Sequence, residues 1–172
     1  MLIRSVQDVD RYLKLIRNAA ATAHAWIEGQ KTSDSLDLLR RIKFDSIGVH
    51  PIEGHALNLI EQANQTWTYV AALLAARELL TLHPEAGGYI LEPAAHAAIE
   101  LDIMSEAQGL VGAETFAAVD PRNNNKLDKD VGKMAARREQ HRYVFFISPR
   151  FPGVRRLPQF ERDGVQVWSV DL

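Results

Sequence analysis

Two apolar runs joined by a short polar turn dominate the middle of the chain, between Ile99 and Lys126. The first run ends at Met104, the turn contains Gly109, and the second run continues to Val119. Apolar runs of this length on either side of a turn with glycine predict a β-hairpin. Because strand side chains alternate between the two faces of a sheet, the hairpin also predicts which side chains share a face.

Acidic side chains interrupt both predicted strands. Asp102 alternates with Leu101 and Ile103 in the first strand, and Glu114 shares one face of the second strand with Phe116. A carboxylate inside a hydrophobic strand is costly to bury unless it is paired or binds a metal ion. Oxygen ligands suit Mg²⁺ or Mn²⁺, so the two carboxylates together predict a site for a hard divalent cation. The alternative is that both lie on an open face, each paired with a basic side chain.

This hairpin resembles the core of the PD-(D/E)XK nuclease superfamily, which has the restriction-endonuclease-like fold. In that family a helix precedes a hairpin that carries Asp and Glu-x-Lys, and a second helix and another strand follow. Asp102 matches the metal-binding Asp and Glu114 matches the Glu of Glu-x-Lys, whereas Phe116 stands where the family has its lysine. Such families often carry a Glu on the preceding helix, and Glu61 matches it. The resemblance covers residues 55 to 149.

The resemblance implies a metal-dependent enzyme that acts on nucleic-acid phosphodiesters. Asp102 and Glu114 would bind Mg²⁺ or Mn²⁺ with help from Glu61, and the ion would polarise the scissile phosphate and activate water. A lysine would stabilise the charge that develops on the phosphate, and Lys126 is the nearest substitute for the missing one. The alternative is that Lys126 is an ordinary exposed residue. The residues predicted to contact the substrate are Gln65, Lys129 and Lys133.

Helical periodicity accounts for much of the remaining chain. A long helix is predicted from Ala56 to Leu82. Its polar stripe contains Glu61 and Gln65, and this stripe either faces the hairpin or is exposed to solvent. Two helices are predicted before it, the second capped by Ser33, and another is predicted after the hairpin from Asn124 to Arg138.

Further strands are predicted on both sides of the hairpin, at Tyr89 to Glu92, Arg142 to Ser148 and Val165 to Val170. The second of these contains a continuous apolar run, which is typical of a strand buried on both faces. The order of elements predicts an α/β (α+β) fold, with a mixed β-sheet flanked by helices and a restriction-endonuclease-like core. Residues 1–45 are predicted to form an N-terminal helical extension packed on a nuclease-like core of residues 46–172.

Composition limits the classes of protein to which the chain can belong. Apolar residues make up 47% of the 172 residues, which is enough for a sizeable core, and the absence of Cys excludes disulfides and thiolate metal sites. The net charge is -2, but the part from Arg122 to Leu172 has 11 basic and 6 acidic residues, which suits either a nucleic acid or a solvated surface. No signal peptide or membrane span is evident, so we expect a cytoplasmic protein. A homodimer through the N-terminal helices is also expected.

Two histidines, His50 and His55, flank a predicted loop that contains glycine and proline. Such a pair can bind a metal ion or shuttle protons. The alternative, with no third His or Cys nearby in the sequence, is that these side chains cap the loop or face solvent.

Three functions are compatible with these patterns. The first is a metal-dependent nuclease with a displaced catalytic lysine. The second is a catalytically inactive nuclease-like module that binds nucleic acid or a protein partner, an alternative favoured by Phe116 at the lysine position. The third is a helical interaction protein in which the acidic hairpin is incidental.

Overall fold

The computed structural model describes residues 1–31, 34–93 and 101–172 of the chain. Within these ranges it contains four α-helices and nine β-strands. The helices are α1 (Val6–Glu28), α2 (Ser35–Phe44), α3 (Leu59–Leu82) and α4 (Lys126–Ala135). The strands are β1 (Leu2–Ile3), β2 (Gly48–Val49), β3 (Ala56–Leu57), β4 (Tyr89–Leu91), β5 (Ile103–Ser105), β6 (Val111–Ala117), β7 (His141–Ile147), β8 (Arg155–Arg156) and β9 (Val165–Ser169).

Seven of these strands form one mixed sheet in the order β1-β4-β5-β6-β7-β9-β8. Pairing is antiparallel from β1 through β6, and it is parallel between β6 and β7 and between β7 and β9. β8 ends the sheet by antiparallel pairing with β9. The connection from β6 to β7 contains α4, because neighbouring parallel strands need a long crossover between them.

The apolar stripe of α4 packs on one face of this sheet. Leu127, Val131 and Met134 recur at helical spacing and are buried together with Phe116 of β6 and Phe146 of β7. The two phenyl rings stack with their centroids 5.5 Å apart. This packing fixes α4 against the parallel pair of strands and determines which of its side chains lie beside β6.

The opposite face of the sheet meets the C-terminal part of α3. The Tyr89 hydroxyl donates a hydrogen bond to the carbonyl of Leu79 at 2.9 Å, and the Tyr143 hydroxyl hydrogen-bonds to His83, just beyond the helix, at 2.7 Å. Phe145 neighbours Tyr143 on β7 with stacked rings and is fully buried. None of the described helices is long and apolar enough to cross a bilayer.

The chain divides into two compact units, and the boundaries between them fall within α1 and within α3. The first unit comprises Met1–Val9 and Ala71–Leu172 and contains the seven-stranded sheet. The second unit comprises Asp10–Val70 and contains most of α1, all of α2 and the antiparallel pair of β2 and β3. The sequence-based boundary between residues 45 and 46 stays a prediction.

Gln62 organises the interior of the second unit. Its side-chain oxygen accepts a hydrogen bond from the Val49 backbone N–H at 3.0 Å, and its amide nitrogen donates to the Ala19 carbonyl at 2.9 Å. One buried side chain therefore satisfies backbone groups of both β2 and α1. Gly48 lies so close that a Cβ there would come within 2.6 Å of the Gln62 side-chain oxygen, which explains the glycine at this position.

The predicted α+β fold class is confirmed, since a mixed sheet is flanked by helices. The restriction-endonuclease-like core stays a prediction. The strand predicted around Phe145 is β7, which lies between β6 and β9. The long helix begins at Leu59 rather than Ala56, because Ala56 pairs in β3 and the Asn58 side chain accepts the Glu61 backbone N–H at 2.8 Å as a cap.

The start of the first hairpin strand and the cap of α2 differ from the sequence-based prediction or cannot be compared with it. The first strand of the predicted hairpin is shorter than expected, because β5 begins at Ile103 and Asp102 precedes it. The preceding part of that predicted strand, residues 99 and 100, lies outside the described residues, as does the predicted cap Ser33. The cap of α2 is Asp34, whose carboxylate accepts the backbone N–H groups of Leu36 and Asp37.

Candidate functional site

Asp102 lies where the pairing of β5 with β6 ends. The last register pair at this end is Ile103 with Ala113. Beyond it, Asp102 Oδ2 accepts hydrogen bonds from the backbone N–H of Thr115 at 2.7 Å and from its hydroxyl at 3.1 Å. The carboxylate thus takes the place of the strand partner that β6 lacks here. Asp102 Oδ1 accepts no hydrogen bond from the described residues.

Glu114 lies at the centre of β6, two residues before Phe116 and therefore on the face that α4 covers. Its side chain is only 6% exposed. Lys133 of α4 donates a hydrogen bond from Nζ to Glu114 Oε1 at 2.7 Å. A buried carboxylate without a cation is costly, so Lys133 supplies the charge that makes this position tolerable.

A polar stripe on α4 runs beside its apolar stripe. Lys126, Asp130 and Lys133 recur at i, i+4 and i+7 and therefore share one side of the helix. Lys126 Nζ donates to Asp130 Oδ1 at 2.8 Å. Asp130 is 4% exposed, and its Oδ2 atom is buried with no hydrogen-bond partner among the described residues. An unsatisfied buried oxygen of this kind costs free energy, which a bound cation would offset.

Burial raises the pKa of all three carboxyl groups, against the effect of their hydrogen-bond donors. Lys133 lowers the pKa of Glu114 and Lys126 lowers that of Asp130, but burial is the larger cause in both. The negative charge of Asp102 raises the pKa of the other two further, which means that the three groups interact electrostatically. We call Asp102, Glu114, Asp130, Lys126 and Lys133 the carboxylate cluster. Three carboxylates against two ammonium groups leave it with a negative balance when all are ionised.

The carboxylate cluster is not a closed set of metal ligands in its present arrangement. Among the described residues, two groups of three potential ligand atoms lie within 4.8 Å of one another, and both contain histidine. They are His50 with Glu53 and His55, and His83 with Glu85 and His141. In the cluster, the carboxylates are held by lysines and by Thr115, so sharing one ion requires their side chains to move together.

Lys126, the predicted catalytic lysine, and Lys133, a predicted substrate contact, each donate a hydrogen bond to an acidic side chain. Lys126 reaches Asp130, and its Nζ lies 5.7 Å from the centroid of the Phe116 ring. Lys133, predicted to contact the substrate, donates a hydrogen bond to Glu114, and its contact with a substrate stays a prediction. Phe116 itself is 7% exposed in the apolar core beneath α4. At the position where the resemblance implies a lysine, β6 therefore carries the Phe116 ring, and Lys126 of α4 lies beside that ring.

The remaining predicted site residues lie outside this cluster. Glu61 and Gln65 belong to the second unit, where Glu61 is exposed in the first turn of α3. Gln65 is half-buried, and its side-chain oxygen is buried with no hydrogen-bond partner among the described residues. Lys129 is exposed on α4. Metal binding by Glu61 and substrate contacts by Gln65 and Lys129 stay predictions.

Asp130 is the member of the cluster that sequence reasoning missed. Its spacing could have identified it, because Asp130 lies four residues after Lys126 and three before Lys133. These three residues each directly precede a residue of the helix's apolar stripe. An acid between two lysines on the helix that follows Glu114 would then have been placed beside the predicted metal ligands.

Comparison with protein-family models, with curated proteins and with solved structures gave no match to this chain.

Proposed function

We propose that this protein is a metal-dependent hydrolase of nucleic-acid phosphodiesters, built on a PD-(D/E)XK-like core. The observation that carries the proposal is the electrostatic interaction of two buried carboxylates, Glu114 and Asp130, with the half-buried Asp102. Asp130 Oδ2 is buried with no hydrogen-bond partner among the described residues. Acidic side chains are almost never fully buried unless they are paired, and carboxyl groups with perturbed pKa values cluster at functional sites.

The order of elements supports the same proposal. α3 precedes the antiparallel pair β5 and β6, and α4 and the parallel strand β7 follow. This is the order that the resemblance implies, with Asp102 directly before the first hairpin strand and Glu114 within the second. Neither the order of elements nor the match of Asp102 and Glu114 to the family's acidic residues depends on the missing lysine.

The donor set fits a hard divalent cation, because Mg²⁺ and Mn²⁺ prefer carboxylate oxygen. Asp102, Glu114 and Asp130 would hold the ion, which supplies a Lewis acid for the phosphate and a more acidic bound water. Asp130 Oδ2, Asp102 Oδ1 and Glu114 Oε2 are the oxygens of the cluster that accept no hydrogen bond from the described residues. Thr115 keeps Asp102 oriented through two hydrogen bonds to its other oxygen.

Lys133 is the residue we assign to the role of the motif lysine. Its ammonium group is already at the Glu114 carboxylate, and its side chain is 46% exposed, so it borders solvent where a phosphate would approach. Lys126 has its own partner in Asp130, although it lies on the same side of the helix. An ammonium group beside the metal ligands can stabilise negative charge that develops on the phosphate.

A nucleic-acid partner requires cations that are free to meet phosphates. Many basic side chains in the C-terminal third are paired internally, including Arg150 with Asp120 and Arg156 with Glu161. Within the described residues, three exposed basic side chains of this region have no ion-pair partner. They are Lys129, Arg138 and Arg155. These are the positions that we propose for phosphate contacts outside the cluster.

The second candidate is a nuclease-like module that binds without cleaving. The observation that favours it is the Lys133–Glu114 ion pair together with Phe116, since the pair leaves Glu114 neutralised and the ring fills the motif position. Under this alternative the cluster has a structural role, and binding to nucleic acid does not depend on a divalent cation.

Cleavage of single- and double-stranded DNA and RNA, with Mg²⁺ or Mn²⁺ and with a chelator, tests the proposal. We expect cleavage that needs the metal, and we expect Asp102→Asn, Glu114→Gln and Lys133→Ala each to lose about a hundredfold or more in rate. The matched controls are Glu28→Gln and Lys43→Ala, which change an exposed acid and an exposed lysine of the second unit. Binding without cleavage under all these conditions would favour the second candidate.

A further inference from the structure

A second group of metal-ligating side chains lies where α3 leads into the sheet, on elements other than those that carry the carboxylate cluster. His83 directly follows α3, Glu85 is two residues further along a short 3₁₀ turn, and His141 begins β7. One ligand atom from each of the three lies within 4.8 Å of the other two. Residues distant in sequence thus converge at one point of the first unit.

His83 is held in a fixed orientation. Its ring nitrogen Nε2 hydrogen-bonds to the Tyr143 hydroxyl at 2.7 Å, and its Nδ1 atom lies 3.0 Å from Glu85 Oε1. The residue is 8% exposed, and its ring lies 4.3 Å from that of His141, measured between centroids. Tyr143 is two residues after His141 on the same strand, so both side chains lie on the same face of the sheet.

We propose that His83, Glu85 and His141 form a binding site for a transition-metal ion of the Zn²⁺ class. His83 Nδ1, a Glu85 carboxylate oxygen and one ring nitrogen of His141 would be the ligands. Two imidazoles with one carboxylate are a donor set that Zn²⁺ accepts, with its fourth position left to water. The 3.0 Å between His83 Nδ1 and Glu85 Oε1 is close to the spacing of two ligands on one such ion.

Tyr143 supplies the outer contact that a histidine ligand needs. A metal-bound imidazole is neutral and donates its other ring N–H to an oxygen, which fixes its tautomer and orientation. The Tyr143 hydroxyl oxygen is placed to accept from His83 Nε2 in this way. Glu85 is exposed, so the ion can enter from solvent on that side.

The other histidine group among the described residues does not offer the same arrangement. His50 Nδ1 already accepts the backbone N–H groups of Ile52 and Glu53, so it serves as a cap for that turn. His55 and Glu53 are both exposed, and the two imidazole rings are stacked with their centroids 4.7 Å apart. This group therefore provides a matched control for histidine-dependent metal binding.

The consequence of the proposed site is a metal cross-link between the end of α3 and the start of β7. A ligand that binds only the folded state raises stability by mass action. At a hundredfold excess of free Zn²⁺ over its dissociation constant, we expect the midpoint of thermal unfolding to rise by about 5–10 °C. This effect does not depend on nuclease activity, so it is independent of the proposed function.

Calorimetric titration of the full chain with Zn²⁺, and visible absorption with Co²⁺ as the probe of coordination, test the proposal. We expect one strong Zn²⁺ site in the wild type and a tetrahedral Co²⁺ spectrum. His141→Ala and Glu85→Gln, which change half-buried and exposed side chains, should each weaken Zn²⁺ binding about a hundredfold or more. Tyr143→Phe should weaken it about 10–100-fold without removing the site.

The controls are His55→Ala and Glu28→Gln, which change exposed side chains outside the proposed site and should leave Zn²⁺ affinity and the Co²⁺ spectrum unchanged. The proposal is overturned if the wild type binds no Zn²⁺ equivalent strongly. It is equally overturned if His141→Ala and Glu85→Gln bind as the wild type does, or if His55→Ala alone loses the site. A folded state for each variant is verified by its cooperative thermal transition without metal.

Discussion

Lys133 of α4 donates a hydrogen bond to Glu114 of β6 across 2.7 Å, and this contact joins the crossover helix to the centre of the parallel pair of strands. The glutamate is buried and the lysine is half exposed, so the pair lies at the boundary between the core and solvent. It neutralises an acid that the apolar surroundings of β6 would otherwise make unfavourable.

Loss of this partner is expected to destabilise the fold. Lys133→Ala leaves Glu114 buried without its charged donor, and we expect the free energy of unfolding to fall by about 1.5 kcal/mol, the lower end for a charged hydrogen bond because the lysine is half exposed. Urea unfolding at neutral pH measures the change. In a Glu114→Gln background the same substitution should cost distinctly less. Equal costs in both backgrounds would contradict the coupling.

The pH dependence of stability has a predictable sign at Glu114. Burial raises its pKa above the ordinary 4.5, so the folded state binds more protons than the unfolded state between 4.5 and the raised value. In that window wild-type stability falls as pH rises, and Glu114→Gln lacks this contribution. The stability of Glu114→Gln relative to the wild type should therefore increase with pH across the window. A relative stability that decreases with pH would show that the native pKa is lowered instead.

The opposite sign is expected at Asp120, which follows β6. Its carboxylate receives hydrogen bonds from Arg122 and a 2.7 Å bond from Arg150, and Arg122 is the main cause that lowers its pKa from 3.8 to about 2. The stabilising contribution is present above 3.8 and is lost as pH falls toward 2. Asp120→Asn should be less stable than the wild type at neutral pH, with the difference shrinking in acid. Thermal unfolding from pH 7 to pH 2 measures it, and a constant difference would contradict the assignment.

Gln62 allows a test confined to the second unit. Gln62→Leu keeps the volume but leaves the Val49 N–H and the Ala19 carbonyl without their partner, at an expected cost of about 2–4 kcal/mol. Amide hydrogen exchange should show faster exchange at Val49. Asn64→Leu, at an exposed position of the same helix, is the control and should change neither quantity appreciably. Unchanged protection of Val49 in Gln62→Leu would show that another group satisfies this amide.

Much of the fold follows from periodicity. The apolar run around Phe145 predicts a buried strand, and the stripe through Leu127, Val131 and Met134 predicts the face of α4 that packs on the sheet. Both patterns can be recognised within a single segment of the sequence, because apolar residues recur at the positions that the element buries. The start of α3 could not be placed as well, because Ala56 reads as helical by propensity but pairs in β3 through a contact with β2.

The site could be predicted only in part. Asp102 and Glu114 stand out because acids are rare in apolar strands. Their partners could not be derived from the sequence. Which lysine reaches Glu114 depends on the rotation of α4 about its axis against β6, and a shift of one residue in the helix would bring a different side chain there. His83 and His141 are 58 positions apart in the sequence and meet only through the packing of α3 on the sheet.

The most direct test of the central claim is calorimetric titration with Mn²⁺ of His141→Ala, a background in which the proposed Zn²⁺ site is removed. The account predicts that this protein binds Mn²⁺ and that adding Asp102→Asn and Glu114→Gln abolishes the binding, whereas adding Glu28→Gln leaves it intact. Mn²⁺ binding that survives the loss of both carboxylates, or no Mn²⁺ binding before their loss, would contradict a metal site in the carboxylate cluster.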